Sequence, residues 1–277
     1  MTLIFQHIPK AAGSTLLSIL RRHFSPSETC FLTGPGGIRE AEFERLPLKE
    51  REGFRLVMGH MYFGIHRHLP GPSTYITMLR HPVDRVISHY HYVKRTPHHY
   101  LYGRVASEKM SLEGYVSDGI ALELNNGQVR SLFGLEHQLV EYGQCSDEML
   151  RVAERHLLEN YSVVGLTERF DESLLLMRRR LGWTFRPVYA AKNVARKNAG
   201  ASNVSRRIVE IIERDNALDL ELYERVAKSF SREVEQTDVC SELRSFRLLN
   251  GIYGRYVKVR KMTRTVARTS RSAFEIG

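Results

Sequence analysis

Cysteine is scarce in this chain of 277 residues: Cys30, Cys145 and Cys240 are its three. Their wide separation excludes a local zinc pattern and their odd number excludes complete pairing, so a reducing compartment is the expected setting. Long apolar runs are missing as well. No stretch approaches the ~18 residues of a membrane span, and the first strand-like residues follow Met1 too closely to leave room for a signal peptide, so a soluble protein is expected. Acidic residues are in deficit, 31 against 41 lysines and arginines, a formal charge of +10. An acidic partner is therefore expected: a nucleotide cosubstrate, a sulfated or uronate-bearing glycan, nucleic acid or anionic lipid, among which charge alone does not choose. An internal repeat, a low-complexity tract and an interdomain linker are also lacking. One large domain is then the default for this length, and 42% hydrophobic residues suffice for a full core.

What is present begins near the N-terminus. Leu3-Ile-Phe-Gln-His-Ile-Pro-Lys-Ala-Ala-Gly-Ser-Thr-Leu-Leu17 reads as an apolar strand, a tight basic turn and a helix start. Pro9 and Gly13 break the apolar run, and Leu16, Leu17, Ile19 and Leu20 then recur at helical spacing. Ser14 and Thr15 fall where the helix begins, so amides, hydroxyls and the positive end of the helix dipole converge on an anion, with Lys10 beside them. The nucleotide-binding P-loop pattern, Gly-x-x-x-x-Gly-Lys-Ser/Thr, is not matched, because here the lysine precedes the glycine.

Downstream, Phe54-Arg-Leu-Val-Met-Gly-His60 is a compact apolar run that ends in a histidine, and Thr74-Tyr-Ile-Thr-Met-Leu79 is the clearest strand. The latter feeds directly into Arg80-His-Pro-Val-Asp-Arg-Val-Ile-Ser-His-Tyr90, with Pro82 in the first helical turn, where its missing N–H is tolerated. This is a second strand-to-helix anion site: Arg80 can grip a phosphate bidentately and Ser88 can add its hydroxyl. His89, His91, His98 and His99 follow among Tyr90, Tyr92, Tyr100 and Tyr102. His89 and His91 stand two apart, the wrong spacing for a helical metal pair, and a solvated or substrate-facing surface is expected. Tyr161 to Leu166 reads as another strand, with helices over 147–158, 204–213 and 217–230. Residues 191–207 read as a flexible basic loop. Beyond Cys240 lies a basic tail, helical or mobile, that could hold an acidic polymer, meet an anionic membrane surface or stay solvated.

Pro9-Lys-Ala-Ala-Gly-Ser-Thr-Leu16 resembles the 5′-phosphosulfate loop of sulfotransferases that use 3′-phosphoadenosine 5′-phosphosulfate (PAPS), in particular the branch of heparan sulfate 2-O-sulfotransferases and their bacterial relatives. Arg80, Pro82, Arg85, Ser88 and Tyr90 match that family's 3′-phosphate element, Arg-x-Pro-x-x-Arg-x-x-Ser-x-Tyr, at every fixed position. The segments from Val164 to Trp183 and from Asn216 to Tyr223 are similar to it too, and the resemblance covers roughly Leu3 to Ser229. It implies an α/β, P-loop-like three-layer fold with a central, mainly parallel sheet flanked by helices, residues 1–240 forming the sulfotransferase domain and 241–277 the basic extension. It implies transfer of a sulfuryl group from PAPS to a hydroxyl of a carbohydrate, glycoconjugate or small glycoside, leaving 3′,5′-adenosine bisphosphate, with no metal and no nucleic acid involved.

By the same resemblance, Lys10, Ala11, Ala12, Gly13, Ser14 and Thr15 hold the 5′ end, Arg80 and Ser88 the 3′-phosphate, and Arg196 and Lys197 close over the nucleotide. Gly59-His-Met-Tyr-Phe63 resembles the Gly-His-x-x-Phe element that supplies the catalytic histidine, which makes His60 the general base, with His7 and His66 as alternatives, and Lys10 the stabiliser of the leaving phosphate. Asn126, Gln128 and Arg130, in a segment similar to Asn-x-x-x-Arg-x-Leu-x-Gly, and His66 become acceptor-side candidates. Animal members of the branch carry an N-terminal anchor for the Golgi lumen, so a chain without one implies a cytoplasmic, bacterial version. The alternative reading is a non-catalytic glycan- or nucleotide-binding protein on the same fold.

Overall fold

The structure, a computed structural model, describes residues 1–33, 37–190 and 204–274. β1 (Thr2–Gln6) is followed by α1 (Gly13–Leu20), β2 (Thr29–Leu32), the short helices α2 (Glu40–Arg45) and α3 (Leu48–Glu52), and β3 (Leu56–Gly59). β4 (Ser73–Leu79) runs into α4 (Pro82–Lys94), and α5 (Tyr102–Ser107), α6 (Leu112–Ser117), α7 (Gly127–Phe133) and α8 (Asp147–Asn160) precede β5 (Tyr161–Leu166). Four further helices follow: α9 (Phe170–Arg180), α10 (Arg206–Asp215), α11 (Ala217–Gln236) and α12 (Val239–Phe274).

The five strands form one sheet in the order β2-β3-β1-β4-β5, and each neighbouring pair is parallel, so the sheet expected to be mainly parallel is parallel throughout its described pairs. All of β1 is buried, as its central place demands: a strand covered on both faces is apolar without alternation. One core cluster joins Phe5, Met58 and Ile76 to Leu16, Ile19 and Leu20 of α1 and to α8, α9 and α11. A second gathers Val83, Val86 and Ile87 of α4 with Ile212 of α10, and a third packs Ile4, Val57 and Tyr75 against Phe43 of α2. Each fully buried Leu, Ile or Phe contributes about 1.5–3 kcal/mol.

Register sets up the site. Gln6 pairs with Gly59 on one side and Thr77 on the other, so β3, β1 and β4 end almost level. The chain leaves β1 towards β2 and β3, then crosses to β4 and β5, and ligands of open α/β sheets bind outside strand C-termini at such a reversal. At the other end of the sequence, α12 crosses residue 241 without a break, and Phe246 is buried in the main core, which anchors the first turns of the basic extension to the domain. No helix among the described residues is long and apolar enough to cross a membrane.

Candidate active site

The β1–α1 loop is strained. Lys10 has φ 68° and Ala12, the N-cap of α1, has φ 59° and ψ 9°, two left-handed residues without glycine's freedom, each costing about 1–3 kcal/mol. Backbone that changes hand in this way forms a concavity of N–H groups suited to an anion, here at the positive end of α1. Gly13 is obligatory for a different reason: a Cβ there would lie 1.8 Å from the His7 ring. The amides of Ala11 and Thr15 are used inside the loop, donating to Ile8 O at 3.4 Å and Ala12 O at 3.1 Å. Ser14 is exposed, whereas Ala11 and Thr15 are buried.

Arg80, at the end of β4, donates from Nη1 to the Lys10 carbonyl at 3.2 Å, which ties the β1–α1 and β4–α4 loops together. Its backbone is clamped by one amide side chain: Arg80 N donates to Gln128 Oε1 at 3.0 Å and Gln128 Nε2 donates to Arg80 O at 2.9 Å. Gln128 is in turn fixed by its own N–H on the Asp219 carboxylate, 3.0 Å away, which also accepts from Val129 N at 2.7 Å and faces Arg85 at 3.5 Å. Arg85 and Asp219 are both buried. Burial pushes the Asp219 carboxyl above the usual carboxylate range, against the opposing pull of Arg85 and the amides. Glu168 caps α4 by accepting from His81 N at 2.9 Å, and Ser88 lies half-buried further along that helix.

Asn126, Gln128 and Arg130 therefore stand behind the site. Asn126 Oδ1 accepts from Asp219 N at 3.0 Å, and Arg130, 2% exposed, donates to Asn125 O, Val140 O and Glu141 O at 2.7–2.8 Å. Their polar groups are spent on the protein because α7 is wedged between α8 and α11, which turns acceptor-side candidates into support. His66 meets the Tyr75 hydroxyl through Nδ1 at 2.9 Å and packs on Phe63, with no described contact to His60, Lys10 or Arg80. Arg196 and Lys197 lie outside the described residues.

His60 follows Gly59, whose φ of 150° and a hypothetical Cβ 1.8 Å from the Leu32 carbonyl oxygen leave room only for glycine. His7 N donates to Gly59 O at 2.9 Å, and His60 Nδ1 lies 2.9 Å from His7 O. A carbonyl only accepts, so Nδ1 carries the hydrogen and the neutral ring keeps its lone pair on Nε2. The two imidazoles stack with centroids 4.1 Å apart. The His60 ring keeps an exposed edge but is hemmed in by protein, and this burial lowers its pKa; the bond to His7 and the charge of Glu123 oppose the shift without cancelling it. His7 is lowered further, by burial and then by His60 and Lys10. Lys10 holds its Nζ 4.0 Å from the Tyr92 ring centroid, and burial, then Arg95 and Arg80, draw its pKa down to about 8.

The histidine-tyrosine stretch, which starts inside α4, begins differently from the solvated surface expected. His89 is 2% exposed, with Nε2 donating to Glu123 at 2.9 Å and Nδ1 facing the Tyr115 hydroxyl at 2.7 Å. Donor atoms of His89, His99 and Glu123 lie within 4.8 Å of one another. Burial pulls the Glu123 carboxyl up, but His89, Tyr100 and His99 outweigh it and hold it below the usual range. Glu123 had no signal in the sequence: it sits far along the chain in a short turn, and only the fold brings its charge within reach of His60.

The family model for galactose-3-O-sulfotransferases matches residues 1–249. Human galactose-3-O-sulfotransferase 2 is 24% identical over 238 residues, covering 80% of this chain and 58% of the relative. Bovine galactosylceramide sulfotransferase is 29% identical over 256 residues, covering 84% and 57%. The chain thus spans about three fifths of the length of the curated relatives it matches. A crystal structure of a mouse sulfotransferase complexed with PAP overlaps 88% of each chain at 15% identity and a TM-score of 0.39, too loose a superposition to place any residue.

Proposed function

Because this chain belongs to the galactose-3-O-sulfotransferase family, we propose that it moves a sulfuryl group from PAPS to a hydroxyl of a galactose-bearing glycan or glycolipid. The branch is the galactose-directed one, whereas the loop motif by itself resembles the heparan sulfate 2-O branch. One observation carries the proposal: the ends of the adjacent strands β3, β1 and β4 gather His60, Lys10 and Arg80, joined through the His60–His7 and Arg80–Lys10 hydrogen bonds.

In this reading Lys10 and the amides from Ala12 to Ser14 hold the 5′-phosphosulfate, while Arg80 and Ser88 hold the 3′-phosphate. The site fits a polyanion, since phosphates relieve the mutual repulsion of Lys10, Arg95 and Arg80 that adds to burial in depressing the Lys10 pKa. Gln128 is a positioning residue that keeps Arg80 aimed. The acceptor oxygen attacks sulfur in line, the bond from sulfur to the 5′-phosphate oxygen breaks, and the electron pair leaves with the bisphosphate. Lys10 stabilises that growing charge. The hydroxyl proton passes to His60 Nε2, and the imidazolium is supported by the His7 carbonyl and the Glu123 charge.

The test is incubation with labelled PAPS and a panel of galactosides, followed by mass analysis. Sulfate on a galactose hydroxyl, with inhibition by 3′,5′-adenosine bisphosphate but not by ATP, supports the proposal. Tight PAPS binding with no product across the panel supports instead a binding protein on this fold.

A further inference from the structure

We propose that the outer face of α12 docks on an anionic lipid surface, the helix lying along the bilayer. Leu248, Ile252, Tyr256 and Val259 are 64%, 49%, 56% and 60% exposed. At about 100° per residue these positions fall within an arc of about 80°, so four large apolar side chains form a single stripe in water. The inward face is already engaged. Phe246 is buried in the core, Asn250 Oδ1 accepts from Tyr189 N at 3.1 Å, and the Tyr253 hydroxyl accepts from Arg22 at 2.6 Å. The stripe is what folding leaves over.

Charge selects the occupant. Between Glu242 and Glu275 the sequence holds nine lysines and arginines and neither Asp nor Glu. Arg244, Arg255 and Lys258 are exposed along one edge of the stripe and Arg260 is exposed on the other side. A helix of this kind seats its apolar side chains at the headgroup boundary while its cations meet lipid phosphates and carboxylates. A soluble polyanion would use the charges but leave the stripe in water. A second copy of the chain would cover the stripe but press like charges together. No described helix is apolar enough to cross a bilayer, which accords with a helix that lies on its surface.

The test is flotation of the full chain with phosphatidylcholine vesicles containing about one-third phosphatidylserine, compared with pure phosphatidylcholine. Binding is expected to the anionic vesicles only. Arg255→Gln, Lys258→Gln and Arg260→Gln together should weaken it on the order of 100-fold, at roughly fivefold for each surface charge. Leu248→Ser, Ile252→Ser and Tyr256→Ser together should weaken vesicle binding more than about tenfold while leaving retention on immobilised dextran sulfate unchanged. The proposal is overturned if the wild-type chain stays off anionic vesicles, if neutral vesicles bind it equally, or if the serine variant binds vesicles like the wild type. Helical circular dichroism is recorded for each variant, and if a triple variant loses it, Ile252→Ser alone is read against the same criteria.

Discussion

His60 and His7 are joined twice, by a hydrogen bond of 2.9 Å from Nδ1 to the His7 carbonyl and by ring stacking at 4.1 Å, so whatever displaces His7 displaces His60. Gly13 is the residue that leaves room for this pair, because a Cβ there would lie 1.8 Å from the His7 ring. Gly13→Ala is therefore expected to lower turnover on the order of 10²-fold through a misplaced base, with a stability loss of about 1–3 kcal/mol from overpacking. Melting temperature and kcat measured together check this; a variant with wild-type kcat would break the link between the loop and His60.

The pH profile follows from two depressed pKa values. As the proposed base, His60 must be neutral to act, and burial places its pKa below the ordinary 6.5, so kcat/KM should rise with pH through a midpoint below that value. Lys10 works only when charged, and its pKa of about 8 should bring activity down again as pH passes that point. Bound phosphates favour the charged amine, so the alkaline limb of kcat should lie higher than that of kcat/KM. Lys10→Arg should abolish the alkaline limb while leaving the acid limb in place.

Arg80 is expected to read the 3′-phosphate. Arg80→Ala should weaken PAPS binding by about 1.5–3 kcal/mol, with a smaller loss for Ser88→Ala. Adenosine 5′-phosphosulfate, which lacks that phosphate, is the control, and isothermal titration of both ligands separates the cases. An equal loss for the two ligands would remove Arg80 from the 3′-phosphate.

Asp219 should matter for folding rather than for chemistry directly. Its carboxylate is fully buried against Arg85 at 3.5 Å and accepts the Gln128 and Val129 amides. Asp219→Ala leaves a buried guanidinium uncompensated and should cost about 3–5 kcal/mol in urea unfolding.

The sequence carried the parts of the site that are local. Apolar runs located β1, β3, β4 and β5, the first three with Pro or Gly at their ends, and the residues just past those three strands, Lys10, His60 and Arg80, are the ones that the parallel sheet brings together. Local pattern could not show which side chains the helices would bury. Asn126, Gln128 and Arg130 look like cleft residues in a polar segment, but α7 is enclosed by its neighbours and their donors turn inward. His89 reads as solvated because its burial partners arrive from elsewhere in the chain, Tyr115 from α6 and Glu123 from a short turn. The left-handed conformations of Lys10 and Ala12 were equally hidden, since neither residue type announces positive φ.

The most direct measurement of the central claim is a single-turnover assay of sulfuryl transfer from PAPS to a verified galactoside, comparing wild type with His60→Ala at saturating PAPS. The expected result is a transfer rate reduced by ~10²–10⁴-fold with PAPS affinity unchanged, because in the proposed mechanism Nε2 of His60 takes the acceptor proton and does not hold the nucleotide. A His60→Ala variant that transfers sulfate at the wild-type rate would contradict the account and move the base elsewhere in the cleft.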